Sequence, residues 1–177
     1  MSAPFTIEID DRTLNRRMRE LTRRLADITP VLNEIGDSVA NDVRLSFVSG
    51  RSPYGEPWPP LRFRSGQPLR DTGRLMNSIT YRVGKNHVEI GTNVCYAPVH
   101  QHGATIKARP GQPGRNRCGV RRGAPFLVFR GRDGETIRAK EVRIPPRPFL
   151  PDKRGLPPTM RRNVLNVIER YLTGGSA

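Results

Sequence analysis

Apolar residues recur along the chain at two different spacings, and the switches between them mark out the elements. Leu14, Met18, Leu21, Leu25 and Ile28 are separated by four, three, four and three positions. That spacing predicts a helix of about five turns with a single apolar stripe. Asp10 or Asp11 can cap it, and Arg12, Arg16, Arg17, Arg19, Arg23 and Arg24 fill its outer face. Thr29-Pro30 opens a second helix with proline in its first turn. Leu32, Ile35, Val39 and Val43 face inward on it, and Gly50 stops it. The two helices are expected to form a hairpin covering one face of a sheet. A last helix runs from about Pro158 to Leu172, with Met160, Val164, Val167, Ile168 and Tyr171 along one side.

The alternating segments read as strands. Residues 5–9 form one. Residues 79–83 and 87–91 form a hairpin around Gly84-Lys85-Asn86, and 126–130 and 135–144 form another across Gly131-Arg132-Asp133-Gly134. Short helices start at Asp71-Thr72-Gly73 and run from Cys95 to His102, where Gly103 closes the second. The pattern predicts an α+β fold, a twisted, mostly antiparallel sheet with packed helices, in a single domain over 1–177.

Three stretches follow neither period. Residues 50–70 are a proline-rich loop with Tyr54, Trp58 and Leu61 as large anchors. Loops of that length are often functional, and an indole with one N–H suits a subunit interface. Residues 144–150 form an extended proline-rich turn containing Pro148 and Phe149. Residues 107–125 carry Lys107, Arg109, Arg115, Arg117, Arg121 and Arg122 among glycines and prolines, with no acid. No core can form there. This arm suits a solvated loop, a contact with an acidic protein, or a phosphate tether, although it holds no aromatic residue for base stacking.

Charge narrows the partners. The chain of 177 residues has 31 basic and 16 acidic side chains, a net charge of +15, and 27 of the basic residues are Arg. Such a surface asks for nucleic acid or an acidic protein face. At 35% hydrophobic residues the core should be small. No apolar run approaches the roughly 18–20 residues of a membrane span, and residues 1–15, with Glu8, Asp10 and Asp11, lack the apolar stretch of a secretory signal. Cys95 and Cys118 are too few for a disulfide scaffold, so a reducing cytosolic compartment is the default expectation.

Candidate chemistry is sparse. Cys95, His100, His102 and Cys118 match no zinc spacing, and His100 and His102, two apart on a short helix, point to different sides. Cys95 is better read as buried packing and the histidines as polar helix-end residues. A Cys95–His100 nucleophile pair lacks an orienting third group. No acidic pair and no phosphate-binding glycine loop is present. No catalytic residue, metal or cofactor is expected.

Four motifs, in order over about residues 44–172, carry a resemblance. They are Pro53-x-Gly55-x-x-Trp58-x-x-Leu61; Leu69-x-x-Thr72-Gly73-x-Leu75-x-x-Ser78-Ile79; Gly91 with Tyr96-Ala97-x-x-His100-Gln101-x-Gly103; and the turn from Pro146 to Leu150. In these the chain resembles the phage virion morphogenesis, or tail completion, family of tailed bacteriophages. It departs from the pattern at His102, where an aromatic residue is common, and in the length of the 107–125 arm. The resemblance implies a structural virion protein at the head–tail junction, assembled in the host cytoplasm. It implies a sixfold ring that caps the tail tube, meets head-completion and connector proteins, and surrounds the path of packaged DNA. The interface is then expected at Tyr54, Trp58, Leu61, Pro148 and Phe149 and at Arg115, Arg117, Arg121 and Arg122 of the arm. Tyr96, His100 and Gln101 are expected to hold the Trp58 loop by hydrogen bonds.

Overall fold

The computed structural model describes residues 11–63, 65–111, 114–115, 121–131 and 133–174, with backbone alone at 114–115 and 121–122. The expected strand at 5–9 lies outside the described residues. In order, the elements are α1 (Arg12–Ala26), α2 (Thr29–Ser49), α3 (Arg74–Asn77), β1 (Ile79–Val83), β2 (Val88–Thr92), α4 (Ala97–His102), β3 (Ala104–Lys107), β4 (Gly114–Arg115), β5 (Arg121–Arg122), β6 (Leu127–Arg130), β7 (Thr136–Ala139), β8 (Glu141–Ile144) and α5 (Pro158–Thr173). The fold is α+β with antiparallel pairing within each sheet.

The helix α2 is the spine. Its start is fixed by the Asp27 carboxylate, which accepts from the Thr29 N–H at 3.0 Å, and its end by Gly50, which takes a left-handed φ of 69° and returns its N–H to Ser46 O. The last carbonyls of a helix have no partner within it. Here the Gln67 amide reaches back to Phe47 O and Val48 O at 3.0 and 2.9 Å. Val39, Ala40, Val43 and Phe47 bury one face of α2 against β1, β2 and α5. Gly36 sits where that face meets the sheet, and a methyl group there would overlap the Tyr81 ring. From α5, Met160 and Val167 are buried, and Asn163 and Arg170 bond Asp42 and Glu34 of α2.

Among the described residues the antiparallel pairing is divided over four two-stranded ribbons, β1–β2, β3–β8, β4–β5 and β6–β7. The reason is visible at Lys140. The segment 135–144, expected as one strand, bends there. Its first half pairs with β6, while Lys140 O accepts from Ala108 N–H at 2.8 Å and its second half pairs with β3.

The helix hairpin is also corrected. α1 forms over the expected residues but has none buried, and Leu14, Met18 and Leu25 are each more than half exposed. It meets the body at its C-terminal turn, where Arg24 donates to Tyr171 O and the Tyr171 hydroxyl lies 2.7 and 2.6 Å from Arg24 O and Asp27 O.

Candidate functional site

Two irregular segments about 90 residues apart in sequence close on one another. The first, 50–58, is tighter than a loop of its composition suggests. Ser52 is buried. It pairs its N–H with Glu56 O at 2.7 Å, and its hydroxyl accepts from the N–H groups of Tyr54 and Glu56. Trp58 N–H returns to Gly50 O. This turn drives the indole inward, where it meets the Phe47 ring edge-on at 5.5 Å, and Phe149 of the second segment also packs on Phe47, at 5.3 Å. The indole N–H, which must find an acceptor once buried, donates to Pro148 O at 2.9 Å.

The second segment, 145–155, reciprocates. Arg147, only 5% exposed, donates from Nε to Pro59 O and from Nη2 to Pro60 O at 2.8 and 3.0 Å. Prolines lack an N–H and leave strong acceptors behind, and the planar guanidinium fork spans two of them at once. Farther out, the Tyr54 hydroxyl lies 2.6 Å from Gly155 O and accepts from Asp152 N–H. The Arg154 guanidinium covers the Tyr54 ring at 3.8 Å and pairs with Glu56 and Asp152. Hydrogen bonds from Arg154 hold the Asp152 carboxyl down to about 2, and the same pairing raises Arg154.

The helix α4 is the latch. The Gln101 side chain accepts from Phe149 N–H and Leu150 N–H and donates to Leu150 O, all at 3.0 Å. His100 O accepts from Arg147 N–H at 2.7 Å, and the Tyr96 ring packs edge-on to the His100 ring. Gly103 ends α4 with a φ of 73°, against the backbone of Ile144 and Pro146, where a side chain has no room. Gln101 and His100 therefore hold the 145–155 turn, and the turn in its own right holds the Trp58 loop.

Trp58 and Phe149, expected at an interface between subunits, are 6% and 1% exposed in the core of their own chain. Both rings and the one indole donor are already used within the chain. Tyr54, Leu61 and Pro148 are half-buried at its margin. The backbones of Arg115, Arg121 and Arg122 lie in β4 and β5. Their side chains and Arg117 lie outside the described residues. Cys95 is neither buried nor a free thiol: it is exposed and disulfide-bonded, which corrects the expectation of reduced cysteines. Cys118, the other cysteine of the sequence, lies outside the described residues. Among the described residues no group of three His, Cys, Asp or Glu could hold a metal ion, and no helix is long and apolar enough to cross a membrane. Sequence reasoning missed Arg147 and Gln67, whose signal is an Arg inside a proline run and a lone amide after a helix stop.

The four motifs thus converge on one clasp and the core beneath it. Comparison with known proteins agrees. The chain is 32% identical over 132 residues, 74% of its length and 88% of the relative's, to the Mu-like prophage FluMu G protein 2 of Haemophilus influenzae. No solved structure matches. The model of the phage virion morphogenesis family matches residues 9–173, and the chain belongs to that family.

Proposed function

We propose that the chain is a structural protein that completes the phage tail and joins it to the head. In this reading identical copies form a sixfold ring on the last layer of tail-tube subunits, which ends tube growth. The ring then offers a new face to head-completion and connector proteins, around the path of the packaged DNA. A heterologous interface closes into such a ring when its rotation does. The supporting observation is the clasp. The motif side chains Trp58, Gln101 and Phe149 tie distant segments of one chain together and so maintain a shape. The family is one of virion morphogenesis, and the role needs no catalytic step. The decisive experiment is a nonsense mutation of the gene in its phage, read by electron microscopy. Filled heads beside unjoined tails of irregular length are expected, and normal particles would overturn the reading.

A second reading, nucleic-acid binding, is favoured by the net charge of +15. It predicts DNA affinity that falls linearly with salt on logarithmic axes with a steep slope. The structural role predicts joining defects from arm variants whose DNA affinity is unimportant. Replacing Arg115, Arg117, Arg121 and Arg122 by Ser separates the two. Normal joining with lost DNA retention would assign the arm to nucleic acid.

A further inference from the structure

Beside the clasp lies a cleft of about 560 Å³, bounded by the 61–75 segment, α4, β6 and β8. That volume is in the range of ligand-binding pockets. Phe63, Leu75, Phe129, Val142 and Ile144 line it, with Phe63 and Phe129 meeting edge-on at 5.1 Å to form one wall. Leu69, also in the lining, holds a φ of 61°, a left-handed conformation that costs a non-glycine residue energy and tends to mark sites of function. Arg62, Arg74, Arg130 and Arg143 also line the cleft and are exposed, and the described lining has one carboxylate, Asp71. β6 and β8 each have one paired neighbour among the described residues, so an extended segment can add to either edge. The occupant that fits is extended, apolar on one side and acidic.

The chain contains such a segment. Residues 4–11 read Pro-Phe-Thr-Ile-Glu-Ile-Asp-Asp, with three acids and no base. In an extended conformation Phe5, Ile7 and Ile9 share one face, and Glu8 and Asp10 share the other. The other long stretches without Lys or Arg, 25–43, 52–61 and 86–106, are already built into the helices, strands and clasp of the described fold. The 4–11 segment precedes α1, which is anchored at its C-terminal turn and exposed at every residue from Arg12 to Glu20. Fifteen helical residues span about 20 Å, so the segment starts that far from the point of attachment.

We infer that residues 4–10 of one copy dock in the cleft of a second copy, with Phe5 and Ile7 on its apolar lining and Glu8 and Asp10 among its arginines. The segment sets negative charge against the arginines of the cleft, in an association between two basic chains. The inference rests on the reading of the chain as a self-assembling virion protein, and it names the contact between copies.

Sedimentation velocity on the full chain over a range of concentrations tests it. The wild-type chain is expected to associate. F5S/I7S and, separately, R62E/R130E are expected to weaken association at least about tenfold, the loss typical when a well-placed anchor is removed. Circular dichroism of each variant checks that it is folded. A third variant, E8R/D10R, also fails alone, but mixed with R62E/R130E it regains association, because both pairings of segment and cleft between unlike copies again have opposite charges. If all variants associate as the wild type does, the segment is not the occupant, and ring formation proceeds through another contact. A wild-type chain that stays monomeric at every concentration, whether its segment is unbound or folded back on its own cleft, overturns the inference and the ring together.

Discussion

The clasp and the first helix both carry large apolar side chains and both are rich in arginine, yet they use them in opposite ways. In the clasp there is no periodicity. Trp58 and Phe149 are nevertheless buried, and Arg147 is buried with them because two proline carbonyls take up its donors. In α1 the periodicity is regular, and Leu14, Met18 and Leu25 remain in solvent beside their arginines. Periodicity reports which side chains share a face, whereas burial depends on whether another part of the chain has a complementary surface. The clasp has one in Phe47 and α4. α1 has only the end of α5.

Four changes test this contrast, beginning with the largest. Trp58→Ala should cost the isolated chain about 3–5 kcal/mol, since it opens a cavity beside Phe47 and strands Pro148 O. Urea denaturation measures it, and a loss confined to assembly would mean that the indole works outside its own fold. Arg147→Met keeps most of the packing but removes the charged donors from two carbonyls, for about 1–2 kcal/mol in the same assay. Acid should loosen the outer clasp modestly. Asp152 is held at about 2, below the usual carboxylate range, so its contribution is present above about pH 4 and disappears as pH falls toward 2. Thermal midpoints of the wild type and Asp152→Asn should therefore differ at neutral pH and converge below pH ~2. Smallest of all, Leu14→Ser with Met18→Ser should shift the stability of the isolated chain by no more than about 0.5 kcal/mol. A larger loss would show that the α1 stripe is covered within its own chain.

The sequence exposed regular elements well and partnerships poorly. α2, α5 and the β1–β2 hairpin are legible because apolar spacing and a glycine or proline stop sit within a few residues of each other. The split at Lys140 is not, because 135–144 keeps one alternating pattern while its two halves serve different neighbours. The sequence pointed to Gln101 as a residue that holds the Trp58 loop. It did not show that the link runs through Phe149 and Leu150 N–H and through the guanidinium of Arg147, since matching a donor to a carbonyl 88 positions away leaves no local trace. Cys95 looked inert for a similar reason: a lone cysteine carries no mark of its bond.

The distance spanned by the clasp also sets an order of events during synthesis. α2 and the β1–β2 hairpin can form from local contacts as soon as they are made, and contacts of long sequence separation come later. Trp58 and Phe47 must then wait until residues 147–149 exist before Pro148 O and the Phe149 ring close over them. Until that moment a nascent chain displays its largest aromatic pair to whatever surrounds it. A ribosome stalled near residue 140 would release an aggregation-prone fragment, whereas the completed chain hides the same surface under its own final third.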